Sequence, residues 1–330
     1  MGIKRGDKTK KPNGFYIVES LDLYTAEADK LGDKWNITDK YSSGMPLLDK
    51  YMGGGFGQDG MFELVIVYGA PGSGKSTLAM QLVKDSLVKG VPQAWIVLED
   101  SMVSVNVRFR HMFNSDEEAR RIIKQKAKIN IGGAEQEVAN PIVMSNEMVE
   151  SNSYTLGDIL DWIEMYFKAG VEIVLLDHLQ YAVDGADRSY GDSEFDLQSD
   201  FAKELATVAK RYNKVIVAVT HTNKGNGAGD TKIYGSKKIE GAATKTLEIS
   251  RIPMNGEAKN NRSDNFLMEP DYVKIQMNKS RYTEDRKSSV IYLHRASSSV
   301  SIDGDDNSQT FGFDYAVEDF MADKAGRIGI

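Results

Sequence analysis

Eight consecutive residues, Gly69-Ala70-Pro71-Gly72-Ser73-Gly74-Lys75-Ser76, restrict the fold of this chain more than any other feature. They fit the pattern G-x-x-x-x-G-K-[ST] at every fixed position. The residues before them, Phe62–Tyr68, are apolar apart from Glu63, and those after them, Ser76–Lys89, carry a helical pattern. A strand that passes through a glycine-rich loop directly into a helix is a βα unit. Such units assemble into a parallel sheet with helices packed on its faces.

The rest of the chain repeats that grammar. Apolar, β-prone runs at Ala94–Leu98, Ile142–Met144, Val171–Leu176 and Val215–Thr220 alternate with helical patterns at Leu156–Ala169 and Phe195–Tyr212. Strands that are apolar throughout belong to a sheet covered on both faces. Val273–Met277 and Val290–Leu293 read as a late antiparallel hairpin at the sheet edge. The expected organisation is an arm at 1–40, an α/β core at 41–300 and an acidic tail at 301–330. One short helix is expected in the arm, near Leu23–Leu31.

The loop chemistry selects a phosphate. Glycines let the backbone wrap an anion and turn several N–H groups inward, and the helix that follows adds the positive end of its dipole. Lys75 reaches the β- and γ-phosphates, and Ser76 offers a hydroxyl to Mg²⁺. Residues Gly69, Ala70, Pro71, Gly72, Ser73, Gly74, Lys75, Ser76 and Thr77 are the expected nucleotide-binding segment, with ATP or another triphosphate as ligand. Asp177, at the end of Ile173-Val174-Leu175-Leu176, is the expected second holder of the Mg²⁺ shell. Hydrolysis also requires a group that deprotonates water. Position 178 is His, so no carboxylate directly follows Asp177, and Glu99 is the candidate base; its neighbour Asp100 competes for the role. His221 ends another buried strand expected beside Asp177, where it can touch the γ-phosphate. The four histidines (111, 178, 221, 294) have no paired spacing of the kind that marks a metal site.

Composition bounds the partners. The 330 residues are 41 % hydrophobic and 27 % charged, with a formal net charge of −7 and no cysteine, which excludes disulfides and thiolate chemistry. No apolar run approaches the ~20 residues that span a bilayer, and the basic start at Met1–Lys11 lacks the apolar core of a secretory signal. A cytoplasmic location is expected. The acidic balance argues against nucleic acid only as a sum. Lys224, Lys232, Lys237, Lys238 and Lys245 face only Asp230 and Glu240 in the 224–245 segment, whereas the tail from Asp303 carries seven acids against Lys324 and Arg327.

Gly44-Met45-Pro46-Leu47-Leu48-Asp49, Val97-Leu98-Glu99-Asp100, Leu176-Asp177-His178, Thr220-His221-Thr222-Asn223 and Asn278-Lys279-Ser280-Arg281 together resemble the ATPase domain of DnaB-type hexameric replicative helicases. The likeness is to the phage helicase–primase branch, within the RecA-like ATPases, and covers roughly residues 40–296. It implies a RecA-like core and a 5′–3′ DNA helicase with Glu99 as base and His221 as γ-phosphate sensor. Lys279 and Arg281 become the finger that reaches the neighbouring subunit's ATP in a hexameric ring. The resemblance places DNA-facing loops at 184–191, with Arg188, and at 224–245, with the five lysines. Arg251 is a candidate contact to the nucleotide base. Single-stranded DNA is the implied partner, and the arm or tail would contact a primase, loader or polymerase. The chain shows no collar, primase or zinc module, so a stand-alone motor is implied, of a size that suits a phage working in its host's cytoplasm. A RecA-like strand-exchange filament is the alternative, ahead of a regulatory ATPase that binds protein or a small-molecule kinase.

Overall fold

The computed structural model describes residues 41–45, 48–49, 52–57, 62–113, 115–145, 154–184, 194–223, 232–233, 237–251, 271–281, 289–295 and 313–315. Along the chain run β1 (Glu63–Gly69), α1 (Lys75–Val88), β2 (Gln93–Val97), α2 (Met102–His111), α3 (Asp116–Ile123), β3 (Lys126–Ile131), β4 (Ala134–Ala139) and β5 (Ile142–Ser145). They are followed by α4 (Leu156–Ala169), β6 (Ile173–Asp177), α5 (Leu179–Asp184), α6 (Glu194–Tyr212), β7 (Val215–Asn223) and β8 (Lys232–Ile233). The last elements are α7 (Lys237–Ala242), β9 (Lys245–Arg251), β10 (Asp271–Ser280), β11 (Ser289–Arg295) and β12 (Phe313–Tyr315).

The main sheet has the order β12-β11-β10-β9-β1-β7-β6-β2-β5, with β8 pairing to β7. From β9 to β5 every pairing is parallel, whereas β10, β11 and β12 run antiparallel to their neighbours. The expected mostly parallel α/β core with a late hairpin is therefore present.

Alternation along β1 divides the interior in two. Val65 and Val67 pack with Leu78, Leu82 and Trp95 on the face covered by α1, α2 and α3. Leu64, Ile66 and Tyr68 pack with Ile159, Ile163, Phe201 and Leu205 on the face covered by α4 and α6. Side chains of a strand point alternately to opposite faces, so a strand with helices on both sides must be apolar at every position. The helix ends are set locally. Thr155 and Asp158 form a reciprocal capping box at the start of α4, and Gly170, at φ 102°, closes it.

Several elements depart from the sequence expectation. β3 and β4 form a separate two-stranded sheet. Its alternating charges, Lys126-Ala127-Lys128-Ile129 against Glu135-Gln136-Glu137-Val138, leave too few apolar residues to reveal it in sequence. The 224–245 segment contains β8, α7 and the first residue of β9, and the acidic tail contributes β12, paired with β11. The arm at 1–40 with its helix, and the remainder of the tail, lie outside the described residues.

β1 is tied to β9 by a buried ion pair. Lys245 Nζ donates to Glu63, with the side chains 1 % and 2 % exposed, and the Gly57 amide donates to the other Glu63 oxygen. Removing one partner strands a charge in the interior. Lys245→Ala should cost about 3–5 kcal/mol of unfolding free energy in a denaturant titration. Lys238→Ala removes only an exposed ion pair with Asp196 (2.9 Å) and should cost under about 1 kcal/mol.

Candidate active site

The site forms where β1, β7, β6 and β2 end. Gly69 stands beside His221 of β7 on one side and Ile249 of β9 on the other, and Val97 of β2 stands beside Asp177 of β6. In a parallel sheet the carboxyl ends share one rim, and this register gathers Lys75, Glu99, Asp177, His178 and His221 there.

The loop's glycines are demanded by its path. A Cβ on Gly69 would lie 2.2 Å from the Ile249 carbonyl oxygen, and Gly72 and Gly74 have φ of 73° and 99°. No side chain caps the start of α1 at Gly74, so its first N–H groups face the loop cradle. Lys75 is buried and donates to the Ala70 carbonyl at 3.0 Å. Burial lowers its pKa, opposed by the nearby carboxylates of Glu99 and Asp177.

Asp177 is buried, and neither carboxylate oxygen has a hydrogen-bond partner among the described residues. Burial lifts its pKa to about 6, against the pull of the Ser76 hydroxyl and the Arg108 guanidinium. A buried carboxylate with open acceptor sites beside a hydroxyl is an oxygen donor set that fits Mg²⁺. Ser76 and Asp177 would hold the ion, and it would neutralise phosphate charge when bound with nucleotide.

Glu99 and Asp100 have different surroundings. Asp100 accepts from both guanidinium nitrogens of Arg108 and from the Ser104 hydroxyl (3.2 Å), while Ser101 caps α2. Asp100 is thus engaged in holding α2, and Glu99 is exposed on the rim.

The ring of His178 meets His221 edge to face, with centroids 4.0 Å apart. Burial, with Lys75 close by, lowers His178 to about 3 and His221 to about 4, so both are neutral at pH 7. A histidine that resists protonation when folded loses stability as pH falls from its unfolded value near 6.5 towards its folded value. For buried His178 each pH unit in that window costs up to about 1.4 kcal/mol, and for half-buried His221 it costs less, because solvent screens it. Asp177 acts in the opposite sense between pH 3.8 and about 6, because its folded form holds the proton more tightly. The nucleotide-free protein should therefore melt progressively lower from pH 7 to pH 4.5, and His178→Phe should flatten the decline. A thermal melt series checks both.

Lys279 and Arg281 lie elsewhere. Lys279 pairs with Thr246 and Ser280 with Lys245, at the end of β9 that adjoins Val65 rather than Gly69. At ~3.3 Å per residue, Lys279 is about 10 Å and Arg281 about 16 Å down the sheet from the level of Gly69. Both donate to carbonyls at the end of α7: Lys279 to Glu240 and Gly241, Arg281 to Gly241. Arg251 ends β9 on the rim beyond Ile249.

The expected DNA contacts fare unevenly. Lys245 is a correction: buried and ion-paired with Glu63, it offers nothing to a surface ligand. Lys238 is exposed and paired with Asp196. Arg188 and Lys224 lie outside the described residues, and for Lys232 and Lys237 only the backbone, in β8 and α7, is described. Sequence reasoning did not place His178 in the site. The signal available was its position directly after the strand-end Asp177, to which it is joined by a cis peptide bond.

Parallel strands around a phosphate loop, with a strand-end Asp one strand removed, define a RecA-like P-loop ATPase domain. Residues 46–227, more than half the chain, match the family described as "AAA domain", and the chain belongs to that family. Among solved structures, a DnaB-like replicative helicase, solved together with its interactions with primase, superposes with a TM-score of 0.59 at 16 % identity, covering 90 % of this chain and 68 % of that one. Another, solved as an ATPase domain, gives 0.59 at 16 % identity over 83 % and 94 %. The KaiC-like protein PH0186 of Pyrococcus horikoshii OT3 gives 0.52 at 15 % over 78 % and 94 %. These likenesses establish the shared fold. The DNA repair protein RadA of Rickettsia bellii (strain RML369-C) is 25 % identical over 233 residues, 68 % of this chain and 43 % of RadA. The chain thus matches less than half the length of that relative. Among the described residues no helix is long and apolar enough to cross a membrane.

Proposed function

We propose that this chain is the motor of a ring-forming, ATP-driven DNA helicase of phage-type replication, moving 5′–3′ on single-stranded DNA. The observation that carries the reading is the position of Lys279 and Arg281, at the opposite end of the sheet from their own Lys75. A guanidinium that cannot reach its own nucleotide is suited to serve a neighbour's, which makes hydrolysis a property of an assembled interface. Lys75, Ser76, Asp177, Glu99 and His221 form one half of such a site, with Arg251 at its rim. The neighbour's finger supplies the other half. Segments 184–191 and 224–245, through Arg188, Lys224, Lys232, Lys237 and Lys238, would follow the DNA backbone in the channel. The arm or the acidic tail would meet a primase, loader or polymerase, in the host's cytoplasm.

Fork unwinding with ATP, run on both overhang polarities with Lys75→Ala as control, tests the reading. Unwinding from the 5′ overhang alone is expected, and no unwinding on either fork would overturn it. The RecA-like fold admits one second reading, a strand-exchange filament. Electron microscopy on single-stranded DNA separates the two as closed rings or long filaments.

A further inference from the structure

Glu99, His178 and His221 come from the rim ends beyond three strands, β2, β6 and β7, with β6 between the other two. A carboxylate oxygen of Glu99 and one ring nitrogen of each histidine all lie within 4.8 Å of one another. Two histidines and a carboxylate also resemble a transition-metal donor set, but the tautomer of His178 directs the group elsewhere. Atoms within 4.8 Å of one another can all lie about 2.8 Å from a common point, the distance of a hydrogen-bonded water. The Gln180 amide donates to His178 Nδ1 at 3.1 Å. Nδ1 is therefore the acceptor, and in the neutral ring the proton sits on Nε2. A protonated Nε2 donates a hydrogen bond and does not ligate a metal.

We infer that His178 is a catalytic residue that holds the attacking water, donating from Nε2 to the water oxygen while Glu99 accepts one of its protons. This deepens the ATPase reading proposed above and rests on it. In the step itself the water oxygen bonds to the γ-phosphorus and the bond from that phosphorus to the β–γ bridging oxygen breaks. ADP leaves, and Glu99 takes the water proton and later releases it to solvent. His178 keeps its own proton throughout. Its donated bond aims a water lone pair at phosphorus, and the anchoring Gln180 amide keeps the ring in that orientation. His221, edge-on to the same ring, fixes the distance between this water and the γ-phosphate.

The test compares two replacements of opposite character. His178→Phe keeps an aromatic ring against His221 but has no donor, whereas His178→Gln loses the ring and keeps an N–H. A donor role predicts that His178→Phe lowers kcat by about 10²-fold, with KM and fluorescent ATP-analogue binding unchanged. It also predicts that His178→Gln restores most of the loss. A packing role predicts the reverse order, and activity in His178→Phe equal to or above that of His178→Gln overturns the inference. Melting curves of both variants identify loss through misfolding. If both fail to fold, Gln180→Pro removes the anchoring amide while leaving His178 in place, and unchanged kcat in that variant overturns the inference. Absence of ATP hydrolysis in the unaltered protein on any DNA would defeat the ATPase reading, an outcome distinct from either ordering.

Discussion

Arg281→Ala should bind ATP normally and turn it over roughly 10³-fold more slowly, the scale on which a finger guanidinium acts in phosphoryl transfer. Its own nucleotide loop is untouched by the change, because β10 enters the sheet antiparallel to β9 and leaves Arg281 near Thr244, at the end remote from Gly69. The loss should also be transferable. Lys75→Ala lacks a working phosphate loop but retains its finger, so mixing it with Arg281→Ala creates interfaces that pair an intact loop with an intact finger. In an equal mixture roughly a quarter of the head-to-tail interfaces are of this kind. Hydrolysis should reappear on mixing two inactive proteins. Unimpaired DNA-stimulated turnover in Arg281→Ala, or no recovery on mixing, would rule out delivery of the finger in trans. Lys279→Ala should behave in the same sense with a smaller loss, since an ammonium cannot make the paired contacts of a guanidinium.

The second large effect is expected at Glu99. Glu99→Gln should retain nucleotide binding and lose about 10²–10⁴-fold in single-turnover hydrolysis, the range for removal of a general base. Asp100→Asn is the informative companion. Its carboxylate accepts from Arg108 and Ser104 and supports α2, so the change should lower the melting temperature more than it lowers the chemistry. If Asp100→Asn abolished hydrolysis while binding and folding survived, and Glu99→Gln did not, the roles of the two carboxylates would be exchanged.

How much of this was legible in the sequence depended on whether the signal was local. The strand, loop and helix around Lys75 are contiguous, and α4 coincides with the helical pattern read at Leu156–Ala169. β9 was half legible: an apolar strand could be read before Arg251, but only Leu247 and Ile249 of Lys245-Thr246-Leu247-Glu248-Ile249 look like core, so its start was obscured. A lysine at its head reads as a solvent or DNA contact until Glu63, far away in sequence, is seen to face it. The His221 strand was expected beside Asp177, and β7 does pair with β6; what the sequence left out was His178, whose ring turns to meet His221 only in the folded rim. Once β7 is known to lie against β6, the two ends coincide.

The position of β1 in the sheet also governs the order in which the molecule can be made. Its neighbours are β7, where Glu63 pairs with Val215, and β9, where Val65 pairs with Lys245. A chain emerging from the ribosome carries the phosphate loop early but cannot seat it until residue 251 is available. Until β7 is made this apolar strand has neither partner, and until β9 it has only one; long-range pairings of this kind form slowly and expose surface that aggregates. Nascent chains halted before β9 should therefore fail to retain nucleotide, although every residue of the loop is already present.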